Sequence, residues 1–128
     1  MLLNDYGFTQ SEWDNAKHEA KNILAARAKM RGSIPYSDLV AQIRSVRLGA
    51  HDQRLFQLLR EISEDEDAAG RGMLSVIVVH KHGDMQPGPG FFDLANQLGR
   101  DTSDIMKCWI EELKKVHAYW YFRAANIT

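Results

Sequence analysis

Hydrophobic residues recur at helical spacing near the start of the chain. Thr9 and Glu12 form a capping box, which is typical of a helix N-terminus. Apolar side chains then follow at intervals of three or four residues, at Trp13, Ala16, Ala20, Ile23, Leu24 and Met30. Gly32 is a suitable residue for the position after a helix end. The pattern predicts a helix over 9–31.

A short extended segment and a second helix are predicted next. Pro35 disfavours the helical conformation at Ile34, so the chain is expected to be extended there. Ser37 can then cap a helix over 37–47. The side chains predicted to face inward are Leu39, Val40 and Ile43.

Gly49 interrupts the helical pattern, and Asp52 can cap a third helix over 51–63. Its predicted inward side chains are Leu55, Leu58, Leu59 and Ile62. The acidic and glycine-containing stretch EDEDAAGRG, residues 64–72, predicts a solvated loop between the third helix and the next element.

The longest apolar run of the chain is 73–79, and its length and β-branched residues favour a buried strand over a helix. The run stops at 80–82, His-Lys-His, and a loop rich in glycine and proline follows. A short helix is predicted over 91–98 and a long C-terminal helix over 102–122. The inward side chains of the long helix are predicted to be Ile105, Trp109, Leu113, Val116 and Trp120.

These elements predict a single helix-rich α/β domain over 1–128. Two short helices joined by a turn, then a strand that leads into a loop, follow one another in the order of a winged helix-turn-helix. The pattern therefore predicts a winged-helix-like core over 33–90, flanked by long helices at 9–31 and 102–122.

The composition is that of an ordinary globular protein. The chain has 128 residues, of which 45% are hydrophobic and 26% are charged. The longest apolar run is too short to span a bilayer, and the N-terminus lacks the basic and apolar regions of a signal peptide. Cys108 is the single cysteine, which excludes an internal disulfide and suits a reducing compartment. We therefore expect a cytoplasmic protein.

The charges are segregated although the formal net charge is only −1. The stretch 27–60 contains seven Lys and Arg residues but only two acids, so its charge is +5. Five acids follow directly in 61–67. The segregation indicates either two ordinary solvated faces or an anion-binding face on the middle helices, whose cations would contact phosphates.

The winged-helix order predicts a non-catalytic DNA-binding protein. The third helix would be the recognition helix, and its first turn carries Gln and Arg, which pair with adenine and guanine edges. The predicted DNA-binding residues are Tyr36, Arg44, Arg47, Gln53, Arg54, Gln57 and Lys81. No cofactor is expected.

The segments IPYSDLVAQI, HDQRLFQLLREI and SVIVVHKHGD resemble the DNA-binding half of O6-alkylguanine-DNA alkyltransferases and alkyltransferase-like proteins. The resemblance covers residues 33–84. It implies that Tyr36 and Arg54 handle an extruded nucleotide and the gap that it leaves, and that His80-Lys81 matches the family's His-Arg pair. Val78 and Val79 stand where the family has Pro-Cys, so the alkyl-accepting thiol is missing.

The segment LSVIVVHKHGDMQPGPGFFDLA also resembles a bacterial family with a Pro-Gly-x-Gly-Phe-Phe loop, sometimes found beside nuclease domains. This resemblance supports the alternative hypothesis of a protein-interaction module, acting as an accessory or regulatory subunit of a bacterial nuclease or defence system. Its contacts would be the acidic stretch 61–67 and the C-terminal aromatic residues. Those residues are Tyr119, Trp120, Tyr121 and Phe122.

Three features of the sequence could indicate an enzyme, and each has a simpler explanation. His80, His82 and Asp84 could supply three metal ligands, but paired histidines beside a loop are more often surface residues, so no metal is expected. Cys108 lies in line with the apolar face of the last helix, where a thiol is usually a small buried hydrophobe. The Gly-Pro-Gly turn at 88–90 could cradle a phosphate, but Pro89 removes one donor, so the turn is expected to seat the two phenylalanines that follow.

Overall fold

The computed structural model of the chain describes residues 2–81 and 86–125. These residues form a helix-rich fold with a small two-stranded sheet. The helices are α1 (Gln10–Lys29), α2 (Tyr36–Gln42), α3 (Gln53–Ala68), α4 (Pro89–Gln97) and α5 (Ile105–Ala125). The strands are β1 (Ile34–Pro35) and β2 (Val78–Val79), and a 3₁₀ helix covers Leu74–Ile77.

The N-terminus of α1 has the capping box that the sequence predicts. The Glu12 amide donates to the Thr9 hydroxyl at 3.1 Å, and the Thr9 amide donates to the Glu12 carboxylate at 2.9 Å. The reciprocal bonds satisfy two N–H groups that a helix start would otherwise leave unpaired. At the other end of α1, Arg31 rather than Gly32 adopts the left-handed conformation that closes the helix, with φ of 53°.

The segment 73–79 is buried throughout, as predicted, and lies at the centre of the core. The prediction of a strand over the whole segment is wrong, because residues 74–77 form the 3₁₀ helix and only Val78 and Val79 pair in parallel with β1. The two-residue β1 offers no partner to the earlier residues. The Ser75 amide instead donates to the Ser63 hydroxyl on α3 at 3.0 Å.

The second helix is shorter than the predicted 37–47 and ends at Gln42. Ile43 is extended, and the Glu19 carboxylate on α1 accepts the backbone amides of Arg44 and Ser45 at 2.9 and 3.0 Å. These two amides therefore bond to a side chain of α1 instead of continuing the helix. The connector 43–52 is fixed to the core by three buried side chains, those of Ile43, Val46 and Leu48.

The prediction of a solvated loop over 64–72 is also wrong, since α3 continues to Ala68. Glu66 lies on the buried face of this last part of α3 and is only 1% exposed. Its carboxylate pairs with Lys21 of α1 at 3.0 Å and with Arg71. The acidic turns of the helix are therefore stabilised by tertiary ion pairs that local sequence cannot show.

Gly72 allows the chain to pass close to α5. Its φ is +90°, and a Cβ atom there would lie 3.0 Å from Val116 Cγ2 and 3.1 Å from Glu112 Oε2. Without that Cβ, the Met73 amide donates to the nearly buried Glu112 carboxylate at 2.8 Å. Arg100 forms ion pairs with both Glu112, at 2.9 Å, and Asp67 of α3, at 2.6 Å.

The packing of the middle helices places α2 mainly on α1 and the two strands, and α3 on α1, α4 and the 3₁₀ helix. Among residues 2–81 and 86–125, α2 and α3 therefore do not form the closely packed pair of a helix-turn-helix. The described strands are parallel rather than a wing-like hairpin. Across the same residues, none of the helices combines the length and the apolar character needed to cross a membrane.

Candidate nucleic-acid interface

An open cleft of about 280 Å³ lies between α3 and α4, beside the start of α2. It brings together three of the residues predicted to bind DNA: Tyr36, Gln53 and Gln57. Its other lining residues are Phe56, Leu59, Arg60, Ser75, Gly90, Phe91, Asp93, Leu94 and Gln97. The cleft therefore combines an aromatic wall with amide, guanidinium and carboxylate groups.

The outward face of α3 forms one wall of this cleft. Gln53, Phe56, Gln57 and Arg60 are three or four residues apart, and the intervening leucines face the core. Phe56 remains 37% exposed. The Gln57 amide donates to Glu61 at 3.0 Å, which orients its side chain along the helix.

Arg60 links the two walls of the cleft. Its guanidinium forms an ion pair with Glu64 at 3.0 Å and donates to the Gln97 side chain of α4. The Arg60 side chain is nevertheless 42% exposed. It can therefore exchange these surface partners for an anionic or polar ligand at small cost, since exposed ion pairs contribute little to stability.

Tyr36 is buried beside the cleft, and its hydroxyl accepts the Gly88 amide at 2.9 Å. Its ring packs edge-on against Phe56, with centroids 6.0 Å apart, and lies 5.4 Å from the His80 ring. Burial raises the pKa of Tyr36, although the bond from Gly88 acts in the opposite direction. Tyr36 thus fixes the position of the chain just before α4.

Arg54 points away from the cleft and holds the N-terminal segment. Its guanidinium forms an ion pair with Asp52 at 2.7 Å, donates to the Tyr6 carbonyl at 3.2 Å and lies 4.9 Å from the centre of the Phe8 ring. The hydrogen bonds from Arg54 lower the pKa of Asp52. The structure therefore gives Arg54 a tertiary role and does not bring it to the Gln53–Gln57 face.

Arg44 and Arg47 lie on the connector 43–52, and both side chains are exposed. Neither guanidinium forms a hydrogen bond or salt bridge with the described part of the chain. Lys81 is exposed just after β2. The side chains of Arg44 and Arg47 are therefore accessible to an external anion.

The predicted metal ligands are only partly covered by the structure. His80 is exposed at the end of β2, whereas His82 and Asp84 lie outside the described residues. Within 2–81 and 86–125, no group of three potential ligand side chains comes together.

Cys108 is 3% exposed, as predicted, and burial raises the pKa of its thiol.

Each acid of the stretch 61–67 has a basic partner within the fold. The pairs are Glu61–Lys17, Glu64–Arg60, Asp65–Lys17, Glu66–Lys21, Glu66–Arg71 and Asp67–Arg100. The segregation of charge along the sequence is thus partly cancelled by these ion pairs. The cations of the connector are not among the partners.

The C-terminal aromatic residues divide between the core and the surface. Trp120 is partly buried, and Lys29 of α1 lies 5.9 Å from the centre of its ring. Trp13 packs at another place, where it stacks on Tyr6 with centroids 4.5 Å apart. Phe122 is 67% exposed. Helix α5 packs against α1 through other residues.

Sequence reasoning missed Phe56, Arg60, Asp93 and Gln97 as cleft residues. A signal for Phe56 was present, since it is a large aromatic residue off the apolar stripe of α3. The two α4 residues carried no such signal, because their position depends on how α4 packs on α3.

Comparison of the chain with protein families, with curated proteins and with solved structures found no match in any of these three groups.

Proposed function

We propose that the protein binds DNA without catalysing a reaction, through the outward face of α3 and the connector 43–52. The observation that carries this proposal is the Gln53, Phe56, Gln57 and Arg60 face on an open cleft. The two exposed arginines of the connector that precedes α3 support it.

The side chains of this surface suit different parts of a duplex. Gln53 and Gln57 can pair with adenine edges, Arg60 with guanine, and Phe56 with a thymine methyl group. Arg44 and Arg47 supply phosphate contacts, which position a protein on DNA without reading its sequence.

The remaining predicted residues have supporting roles in this proposal. Tyr36 holds the chain before α4, so that the cleft keeps its shape, and Arg54 fixes the N-terminal segment against α3. Lys81 adds a phosphate contact beside the cleft. In this proposal α3 acts as the recognition helix, presented by its packing on α1, α4 and the 3₁₀ helix.

The resemblance to alkyltransferases enters the proposal as DNA recognition without alkyl transfer. Val78 and Val79 are both buried, and neither has a nucleophilic side chain. The single thiol of the chain, on Cys108, is buried in α5. Lesion-bearing duplexes are therefore expected to bind, without any chemical step on the lesion.

The test is fluorescence anisotropy with labelled duplexes, plain and lesion-bearing, at two salt concentrations. The Arg44→Ala/Arg47→Ala double variant should bind all duplexes more weakly and lower the salt slope by about two units, since each lost phosphate contact lowers it by about one. Gln53→Ala and Gln57→Ala should instead relax sequence preference and leave the salt slope unchanged.

Lys107→Ala is the matched control, because Lys107 is 71% exposed on α5 and lies outside the proposed surface. Its affinity should equal that of the wild type. If the wild type binds no duplex at low salt, or if the control loses as much affinity as the connector variant, the proposed function is wrong.

A protein-interaction module, acting as an accessory subunit, is the second candidate function. It is favoured by three exposed apolar side chains on the first turns of α5, those of Ile105, Met106 and Ile110. Such side chains are typical of contacts between proteins. This candidate predicts that Ile110→Lys abolishes binding to a purified partner, whereas Arg44→Ala does not.

A further inference from the structure

A cationic and aromatic cluster lies where the C-terminal end of α1 meets the C-terminal end of α5. The segments 22–33 and 113–123 together contain six Lys and Arg residues and no Asp or Glu. The His117 ring and the Gly32 carbonyl, 3.0 Å apart, hold the two ends together. We name Lys29, Arg31, Trp120, Tyr121, Phe122 and Arg123 the terminal cluster.

Within the described part of the chain, the cations of the terminal cluster are contacted by aromatic rings and form no ion pair with a carboxylate. The Arg31 guanidinium lies 3.8 Å from the centre of the Tyr121 ring, and Arg123 lies 4.2 Å from that of Tyr119. Lys29 lies 5.9 Å from the centre of the Trp120 ring. A ring orients a cation without neutralising it, so the positive charge stays available to an external anion.

The backbone at Arg31 supports a functional role for this arrangement. Its φ of 53° is a conformation that glycine adopts without steric cost and that other residues adopt rarely. Gly32 follows Arg31 directly, yet the residue that adopts this conformation is the arginine and not the glycine. Such conformations of non-glycine residues are uncommon and cluster at functional sites.

The exposed rings identify the kind of anion. Phe122 is 67% exposed and Tyr121 is 42% exposed, next to the cations of the cluster. Aromatic faces alternating with positive charges are the arrangement on which successive unpaired bases stack while cations contact the phosphates. A duplex keeps its bases stacked inside, and the Asp and Glu side chains of an acidic peptide have no aromatic ring to stack on Tyr121 and Phe122.

We infer that the terminal cluster binds single-stranded DNA, at a surface separate from the α3 face. The inference does not depend on the duplex surface, because the two share no residue. Arg31 and Arg123 would contact phosphates, and Tyr121 and Phe122 would stack on bases.

The experiment measures anisotropy of a labelled 20-nucleotide oligothymidylate and of a 20-base-pair duplex with the full chain. The Tyr121→Leu/Phe122→Leu variant should lose at least about tenfold in affinity for the single strand. Arg31→Gly should also weaken single-strand binding and lower its salt slope by about 0.7. Because glycine suits the backbone at this position, Arg31→Gly should fold as well as the wild type, as shown by circular dichroism.

The controls separate this surface from the one proposed for duplex DNA. Lys107→Ala and Arg44→Ala/Arg47→Ala should leave the single-strand affinity within about twofold of the wild type. Unchanged binding in both cluster variants, or an equal loss in Lys107→Ala, overturns the inference. So does equal competition by polyglutamate, or tenfold tighter binding of oligouridylate than of oligothymidylate. If duplex binding fails while these results hold, only the proposed function falls.

Discussion

Replacing Tyr36 with Phe tests whether this candidate site residue acts chiefly by holding the chain before α4. The change removes one oxygen atom and keeps the ring, so the contacts with Phe56 and His80 are preserved. What disappears is the acceptor of the Gly88 amide, which lies 2.9 Å from the hydroxyl.

The magnitude follows from the burial of both partners. Tyr36 is 9% exposed and Gly88 is buried, so the amide would be left without its acceptor and shielded from water. An unsatisfied buried donor costs about 1–3 kcal/mol. We therefore expect Tyr36→Phe to lower the free energy of unfolding by about 2 kcal/mol.

The assay is urea unfolding at pH 7, with Tyr121→Phe as the matched control. Tyr121 is 42% exposed, so removal of its hydroxyl should change the free energy of unfolding by less than about 0.5 kcal/mol. The midpoint should shift with an unchanged slope, since the change alters one contact and not the surface exposed on unfolding. A loss for Tyr36→Phe as small as that of the control would refute the reasoning.

Three further predictions concern the charged network and the thiol. Arg100→Met should cost about 3 kcal/mol in urea unfolding because it leaves the nearly buried Glu112 carboxylate without its cation, whereas Lys107→Met should cost less than about 0.5; similar losses would contradict this. The Arg100 hydrogen bond lowers the pKa of Asp67, so the stabilisation is complete above the unfolded pKa of about 4 and is lost as the pH falls through the lower folded pKa. As the pH is lowered below about 4, the urea midpoint should therefore decrease, and it should decrease less steeply in Asp67→Asn. A midpoint that does not change with pH would count against the pairing. Cys108 should react slowly with thiol reagents in the folded state and take no methyl group from O6-methylguanine DNA, and a methyl adduct in the mass spectrum would disprove this.

The sequence determined the elements that depend on local interactions. The capping box at Thr9 starts α1, and the stripe of Leu55, Leu58 and Ile62 sets the inward face of α3. The burial of 73–79 also followed from its composition alone. In each case the deciding contacts lie within a few residues, or arise from the apolar character of the segment itself.

Tertiary structure decided where elements end and which residues meet. The Glu19 carboxylate takes the amides of Arg44 and Ser45, so α2 stops at Gln42 instead of continuing to 47. Lys21 compensates the buried Glu66 from another helix, so α3 extends through a stretch whose composition predicts a loop. Such long-range partners leave no mark on local sequence patterns.

The same limit explains the division of the predicted site. Gln53 and Gln57 share a helix face, so their spacing alone was enough to bring them together at the cleft. Arg54 lies between them in sequence but turns to the carbonyl of Tyr6, a contact across 48 residues. Spacing along a helix determines which face a side chain occupies, whereas the packing of distant segments decides what that face contacts.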